Sequence, residues 1–219
     1  MWVVKLGGSL SRDPRLRDWL QLLAEYGGGL VTVVPGGATF ADAVREQQAR
    51  WHFDDLVAHN MAVLAMAQTA QMLHGMEPRL VLVSDDAQIR QTLHAGRPAL
   101  WMPLALLRDA PDVLTSWEVT SDSLALWLAR RLNAERLVVV KSCPLDPALT
   151  LAELTATGVL DARFAHWAHE AAFPIEIVQV DHLARVRDAL VSGVGLGAVP
   201  AGLLRETRPR PKARRKPTV

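Results

Sequence analysis

The sequence predicts an α/β fold, a three-layer αβα sandwich around a mostly parallel central sheet. Short apolar runs alternate along the chain with segments whose apolar residues recur at helical spacing, which is the pattern of βαβ units. Two of these runs end in paired glycines, and open sheets of this class bind ligands at the carboxyl ends of their strands. The 219 residues suit one domain, and half of them are hydrophobic, which is sufficient for a large core.

Each predicted element rests on a local signal. Apolar runs predict strands over residues 2–6, 30–34, 80–83, 137–140, 175–179 and 197–199. Caps and helical spacing predict a helix that starts at Asp13 and Pro14, helices over residues 39–50 and 54–74, one after residues 84–86, one that starts at Thr120 or Ser121, and helices over residues 164–172 and 182–191. Residues 99–117, rich in proline and tryptophan, are expected to form a loop.

Composition and charge narrow the class of protein. The formal net charge of +1 is uneven, because residues 205–219 contain seven basic residues and one acidic residue. We expect this segment to be a disordered basic tail after a single domain over residues 1–204, which is net acidic and is not expected to bind nucleic acid. Cys143 is the only cysteine, a signal-peptide pattern is missing, and no apolar run is long enough for a membrane span. We therefore expect a cytoplasmic protein that does not bind membranes.

The first candidate site element is the segment KLGGS, residues 5–9, at the end of the first predicted strand. Gly7 and Gly8 would let backbone N–H groups approach an anion, and the Lys5 ammonium could reach a phosphate held there. The spacing is neither that of a Walker A loop nor GxGxxG. Taken alone, the segment is better explained as a glycine turn with a solvated lysine.

The second predicted strand ends in the same way. Pro35, Gly36 and Gly37 close it and precede a helix. Two adjacent strands that end in glycine loops form a cleft with two places for phosphate groups, which suits a kinase that holds ATP on one side and an acceptor on the other. Two ordinary turns are the alternative, but the presence of both loops favours the functional interpretation.

The segment TSDS, residues 120–123, is expected to start a helix. Asp122 lies in its first turn, where the helix dipole favours the ionised carboxylate, so this side chain could orient Lys5 or a metal ion. The alternative is that the segment only caps the helix through Thr120 or Ser121.

Lysine usage also indicates a phosphate site. The chain has only four lysines; Lys5 and Lys141 follow apolar strands, and the other two lie in the tail. Lysine is a compact, strongly hydrated point charge, so both side chains are expected to face the carboxyl edge of the sheet. Phosphoryl transfer depends mainly on positioning and charge neutralisation, which two lysines, loop amides and Mg²⁺ would supply. No zinc-type cluster of metal ligands is predicted.

Taken together, VVKLGGSL (residues 3–10), VVPGGATFADAVR (33–45) and WEVTSDSLALWLA (117–129) resemble the amino-acid-kinase superfamily, which includes aspartate, acetylglutamate, uridylate and isopentenyl phosphate kinases. Residues 53–68, with the strings WEVTSDS and VKS, look closest to the branch that contains the [5-(aminomethyl)furan-3-yl]methyl phosphate kinase of methanofuran biosynthesis. The resemblance covers about residues 2–200. It implies the amino-acid-kinase fold, a homo-oligomer (a dimer or larger), and ATP- and Mg²⁺-dependent transfer to a small acceptor that already bears a phosphate, in one-carbon cofactor biosynthesis.

The resemblance also implies roles for individual residues. Lys5 would hold ATP phosphates, Asp122 would orient it, and Lys141 would match a nucleotide-side lysine of the uridylate kinases. The residues expected to act are Lys5, Asp122 and Lys141 in catalysis, Gly7, Gly8, Ser9, Ser121, Ser123 and Ser142 in ATP binding, and Gly36, Gly37, Arg45, His59 and Trp117 in acceptor binding. A solvated Arg45 and a buried, structurally hydrogen-bonded His59 are the alternatives for those two residues, and Trp117 could stack on adenine in place of the acceptor.

Two alternatives concern the function as a whole. The acceptor could instead be a nucleoside monophosphate or an isoprenoid phosphate. The chain also departs from the family pattern, because SCPLDP (142–147) follows Lys141 where the family usually carries a glycine-containing VDG segment, and the later glycine-methionine-x-x-lysine element is absent. These departures favour a catalytically inactive binding or assembly member as the competing hypothesis.

Overall fold

A six-stranded parallel sheet organises this chain, whose computed structural model describes residues 1–193 and residue 196. The strands of the sheet are β1 (Trp2–Leu6), β2 (Val31–Pro35), β3 (Val81–Val83), β4 (Ala99–Trp101), β5 (Arg136–Lys141) and β6 (Ile175–Gln179). Their order is β3-β4-β2-β1-β5-β6, and every pair is parallel. The register sets Lys5 beside Val34 of β2 and Val139 of β5, so the carboxyl ends of these three strands lie together.

Helices cover both faces of the sheet. They are α1 (Leu16–Tyr26), α2 (Ala38–Trp51), α3 (Asp55–Met76), α4 (Asp86–His94), α5 (Ser121–Arg131), α6 (Leu151–Ala156), α7 (Phe164–Ala168) and α8 (Leu183–Ser192). Short 3-10 helices lie at Gly8–Arg12 and Leu104–Leu106. Val3 belongs to a core cluster with Leu124 of α5, whereas Val4 belongs to a second cluster with Trp19 of α1. Because successive strand residues point to opposite faces, these clusters are the two helix–sheet interfaces of a three-layer sandwich.

The predicted α/β class is confirmed, and one strand and one α-helix lie where neither was predicted. β4 falls inside the expected loop over residues 99–117; it is a fully buried three-residue strand between β2 and β3, too short to show a periodic pattern. α6 begins with a capping box in which Thr150 and Glu153 exchange hydrogen bonds. The expected strand at 197–199, the domain end at 204 and the tail at 205–219 lie outside the described residues. Within the described chain, no helix has the length and apolar character needed to cross a membrane.

Candidate active site

A cleft of about 460 Å³ opens at the carboxyl ends of β1, β2 and β5. Its volume lies in the usual range for small-molecule sites. Lys5 and Lys141 line it from the sheet, α2 and α3 form one wall, and the start of α5 forms another. Residues 158–162, which join α6 to α7, close the side next to Lys141. The cleft therefore occupies the place where parallel α/β sheets bind ligands.

One carboxylate lies between two ammonium groups in this cleft. Lys5 Nζ is 2.7 Å from Asp122 Oδ1, and Lys141 Nζ is 2.6 Å from Asp122 Oδ2. The exposed fractions of Lys5, Asp122 and Lys141 are only 3%, 3% and 9%. The expected contact between Asp122 and Lys5 is present, and Lys141 shares the same carboxylate.

Burial and neighbouring charges shift the pKa values of Asp122 and Lys141. Burial alone would raise the pKa of Asp122, but Lys5 and Lys141 outweigh it and hold that pKa below the ordinary value. Burial and the neighbouring Lys5 lower the pKa of Lys141, while Asp122 opposes the shift. Two ammonium groups that share one carboxylate leave one positive charge in excess when all three are ionised. That excess is suited to a phosphate group.

The two glycine loops pack against each other, backbone to backbone. A Cβ built on Gly36 would lie 2.3 Å from the Gly8 amide nitrogen, and one on Gly8 would lie 2.8 Å from the Ala38 amide nitrogen. The Gly7 N–H donates to the Val140 carbonyl at 3.2 Å, and the Gly36 N–H donates to the Leu6 carbonyl at 2.9 Å. Gly8 and Gly37 line the cleft; Gly7 and Gly36 do not. At Gly7 and Gly36, therefore, the N–H groups serve the fold, and phosphate binding does not explain these glycines.

Helix N-termini supply further positive potential. α2 and α5 both start at the cleft, where Gly37, Ala38 and Ser121 form part of its lining. The positive ends of two helix dipoles therefore meet the lysine side chains at one place, which favours an anionic ligand. Ala38 has a φ of 50°, a left-handed backbone conformation that is unfavourable for a residue with a Cβ.

The four predicted serines differ in their position relative to the cleft. Ser9 and Ser121 line the cleft. Ser142 lies next to it, and its hydroxyl donates to the Ser9 hydroxyl oxygen at 2.7 Å. Ser123 is fully buried, and its hydroxyl donates to the Asp161 carboxylate. Ser123 is thus turned away from the position at which the resemblance implied a contact with ATP.

Asp161 was not singled out from the sequence. It lies in the segment between α6 and α7, and its side chain contacts the N-terminus of α5. Its Oδ2 accepts hydrogen bonds from the Thr120 N–H and the Ser123 N–H, both at 2.9 Å, and from the Thr120 hydroxyl at 3.0 Å. Thr120 is the N-cap residue of α5, but its side chain makes no capping bond to its own helix. The predicted start of this helix is confirmed, since Thr120 occupies the N-cap position and α5 begins at Ser121, but the Ser123 N–H is capped by Asp161 and not by Thr120. No local pattern marks Asp161, since 38 residues separate it from Ser123.

Three of the predicted acceptor residues, Arg45, His59 and Trp117, are part of the cleft lining, and we call this part the acceptor end. The Arg45 guanidinium carbon lies 4.3 Å from the Trp117 ring centroid, and the Trp117 indole N–H donates to Gln48 Oε1 at 2.5 Å. His59 is 8% exposed, and its Nε2 is 2.9 Å from the Leu106 carbonyl oxygen. His59 therefore makes a hydrogen bond that stabilises the fold and also lines the cleft.

The cleft lining combines charge of both signs with apolar side chains, which we call the apolar floor. Arg12 and Arg45 lie 3.5 and 3.4 Å from the Asp42 carboxylate, and Asp55 accepts from the Gln48 amide at 2.9 Å. The apolar residues that line the cleft include Ala62, Val63, Met66, Val119 and Leu124. A ligand with an apolar body and charged substituents fits this lining. Among the described residues, no group of three or more His, Cys, Asp or Glu side chains is arranged to hold a metal ion.

Comparisons with known proteins agree with this architecture. Residues 1–144 match the profile of the amino acid kinase family. The chain is 25% identical over 141 residues to the [5-(aminomethyl)furan-3-yl]methyl phosphate kinase of Methanocaldococcus jannaschii, an alignment that spans 64% of each protein.

Solved structures share the fold at low sequence identity. A uridylate kinase from Archaeoglobus fulgidus has a TM-score of 0.65 at 15% identity, with 85% of this chain and 95% of that chain covered. A UMP kinase from Bacillus anthracis has a TM-score of 0.61 at 16% identity, with 87% and 91% covered. An isopentenyl phosphate kinase has a TM-score of 0.57 at 15% identity, with 88% and 96% covered.

Proposed function

We propose that this chain, which belongs to the amino acid kinase family, transfers the γ-phosphoryl group of ATP to a small acceptor that already bears a phosphate. The observation that carries the proposal is the Asp122 carboxylate held between Lys5 and Lys141, at 2.7 and 2.6 Å. Because all three side chains are buried, their geometry is set before a ligand arrives, and preorganised charge is the main catalytic device in phosphoryl transfer.

The proposed step needs no protein nucleophile. An anionic oxygen of the acceptor phosphate attacks the γ-phosphorus of ATP, and the bond from that phosphorus to the β,γ-bridging oxygen breaks. The products are ADP and an acceptor diphosphate. Lys5 and Lys141 neutralise charge on the transferred group and on the leaving phosphate, and Asp122 keeps the two ammonium groups from separating.

Mg²⁺ would enter with ATP. This ion usually keeps several waters and binds through substrate phosphates and one or two carboxylates, which fits a cleft without a preformed metal cage among the described residues. When bound, it would supply further charge neutralisation at the phosphates. Ser9 and Ser121, which line the cleft, are the hydroxyls that we assign to phosphate binding.

The acceptor that we propose is an aminomethylfuran phosphate of one-carbon cofactor biosynthesis. Two observations support it: the likeness to the Methanocaldococcus jannaschii kinase, and the mixed charge of the acceptor end. Arg12 and Arg45 match a phosphate, Asp42 and Asp55 match an ammonium group, and the apolar floor matches the ring between them. An isoprenoid phosphate is the second candidate, because the same apolar floor would hold its hydrocarbon chain. It ranks second because it has no cationic group to pair with the carboxylates of Asp42 and Asp55.

A turnover assay tests the proposal. The purified protein is incubated with ATP and Mg²⁺, and ADP release is measured with [5-(aminomethyl)furan-3-yl]methyl phosphate, isopentenyl phosphate and uridine monophosphate in turn. We expect acceptor-dependent ADP release that is greatest with the furan phosphate and that disappears in a folded Lys5→Met variant. ATP binding without turnover on any acceptor would instead support the inactive binding member that the altered segment 142–147 suggests.

We also propose that the protein is a cytoplasmic homo-oligomer. Val57 and Leu64, one face of α3, are 44% exposed, and Leu107, after the 3-10 helix at Leu104–Leu106, is 43% exposed. Exposed apolar side chains on adjoining elements support a subunit contact in this region. Light scattering on the purified protein should give a mass of at least twice 24.0 kDa, and Leu64→Glu should reduce it.

A further inference from the structure

The N-terminus of α5 is stabilised by a distant part of the chain. The first N–H groups of a helix have no partner within it, and an N-cap side chain normally accepts from one of them. In α5 the N-cap residue Thr120 provides no such bond. Asp161 replaces it: one carboxylate accepts from two backbone N–H groups and two hydroxyls, all of them from Thr120 and Ser123.

The segment around Asp161 is itself docked. The Arg163 N–H donates to the Glu118 carbonyl at 3.1 Å, and the two side chains form an ion pair at 2.7 Å. Phe164, the first residue of α7, is fully buried in the core. Bonds at residues 161 and 163 and packing at residue 164 therefore fix the Asp161 carboxylate relative to α5.

We propose that Asp161 is a positioning residue, which holds the first turn of α5 so that Asp122 stays between Lys5 and Lys141. Asp122 lies between Thr120 and Ser123, the two residues that Asp161 binds. A shift of this turn would move the carboxylate that both ammonium groups share. Misplacement by about 1 Å can cost on the order of a hundredfold in rate.

The negative charge of Asp161 also favours the charged form of Lys141. Its carboxylate is among the groups that favour the protonated ammonium of Lys141, against the burial that lowers the pKa of that lysine. Burial raises the pKa of Asp161 itself; its bond from the Ser123 hydroxyl opposes this, and the negative charge of Asp122 adds to it. The hydrogen bonds, not the charge, connect Asp161 to α5, and this distinction makes the inference testable.

The first test does not depend on the proposed function. The chain has four lysines, two in the cleft and two in residues 205–219, so ¹³C-lysine labelling gives a simple side-chain NMR spectrum. Lys5→Arg and Lys141→Arg assign the two cleft signals. We expect Asp161→Ala to shift both cleft signals and to leave the tail signals in place. Asp85→Ala, which removes the N-cap of α4 away from the cleft, should shift neither. Unmoved cleft signals in Asp161→Ala would overturn the proposal.

The second test rests on the proposed function and uses ADP release with the furan phosphate. We expect Asp161→Ala to lower kcat by roughly a hundredfold with little change in the KM for ATP. In an Asp122→Asn background the same change should have almost no further effect, because both act through one carboxylate. Independent, multiplicative losses would contradict positioning. If the wild-type protein releases no ADP, the proposed function fails while the NMR test still decides the positioning.

Asp161→Asn separates hydrogen bonding from charge. Its amide oxygen can accept from Thr120 and Ser123, and its NH₂ group can donate to the Ser123 hydroxyl, so the cap persists without the charge. We expect kcat within about fivefold of wild type, a Lys5 signal near its wild-type position and a smaller shift of the Lys141 signal than in Asp161→Ala, since only the charge is lost. A variant as poor as Asp161→Ala overturns the proposal. Should Asp161→Ala fail to fold, Thr120→Val removes one donor to Asp161 and should give a smaller shift of the same two signals.

Discussion

Gly36 and Gly8 are in direct backbone contact, since a Cβ on Gly36 would lie 2.3 Å from the Gly8 amide nitrogen. This contact joins the end of β2 to the end of β1 and brings the start of α2 next to Lys5. The paired glycines are therefore explained first by the close approach of two chains, a use that glycine alone permits. The cleft exists because these two loops can touch.

The loop contact predicts that Gly36→Ala is destabilising. The new methyl group would meet backbone atoms that have no rotamer to change, so we expect a loss of about 1–3 kcal/mol in the free energy of unfolding. The matched control is Gly75→Ala in α3, where a Cβ meets nothing within 4 Å; it should leave stability unchanged or raise it by up to about 1 kcal/mol. Urea denaturation of both variants measures the difference. Equal stabilities would show that the loops can separate at no cost.

The left-handed backbone of Ala38 predicts that Ala38→Gly is stabilising. Its φ of 50° disfavours a residue with a Cβ, and glycine should relieve strain of about 1 kcal/mol. Ala43→Gly changes a solvent-exposed residue in the middle of α2 and should instead lower the free energy of unfolding by about 1 kcal/mol. In thermal melts, we expect the melting temperature to rise in Ala38→Gly and to fall in Ala43→Gly. A loss at both positions would mean that Ala38 carries no strain.

Removal of the Asp122 charge should affect rate and stability together. Asp122→Asn leaves two buried ammonium groups without their counter-ion, so we expect the free energy of unfolding to fall by about 3 kcal/mol. ADP release should fall by a factor on the order of a hundred. Glu77→Gln, which breaks the ion pair with the exposed Arg79, should cost less than about 1 kcal/mol and keep the rate.

The stability lost in Asp122→Asn should depend on pH. Because the folded-state pKa of Asp122 lies below its ordinary value of 3.8, its ionised form stabilises the fold fully above that value. Below pH 3.8 the unfolded chain takes up the proton first, so this stabilisation is lost as the pH falls through the folded-state pKa. The difference in urea midpoint between wild type and Asp122→Asn should therefore be constant at neutral pH and shrink below about pH 4. A constant difference down to pH 3 would contradict the lowered pKa.

Arg45 should act on acceptor binding and not on the chemical step. Its guanidinium group lies 4.3 Å from the Trp117 ring, and both residues line the cleft. Arg45→Ala removes one charged hydrogen-bonding partner for a phosphate, so we expect the KM for the acceptor to rise about tenfold with kcat nearly unchanged. Arg50→Ala, which removes a similar stacking contact on the exposed Trp51, is the matched control and should leave both constants unchanged. An effect of Arg45→Ala on kcat alone would move this residue into the chemical step.

Local sequence signals are enough to predict the sheet edge that carries the site. Apolar runs that end in Lys5, in Lys141 and in the glycine pairs are local signals, and the carboxyl ends of parallel strands must meet at one sheet edge. The position of Asp122 in the first helical turn was equally local. These signals survive folding because each depends on residues within a few positions of one another. The sheet edge and the contact between Lys5 and Asp122 could therefore be predicted without the structure.

The groups that complete the site come together through contacts between elements that are distant in the chain. Asp161 caps a helix that starts 40 residues earlier in the chain, counted from Asp161 to Ser121, so no spacing rule could assign it. Ser123, expected at the nucleotide, is turned to Asp161, and the Gly36 N–H is used by the Leu6 carbonyl. In each case a polar group found a partner from another element, because buried donors and acceptors must be satisfied wherever the fold brings one within reach.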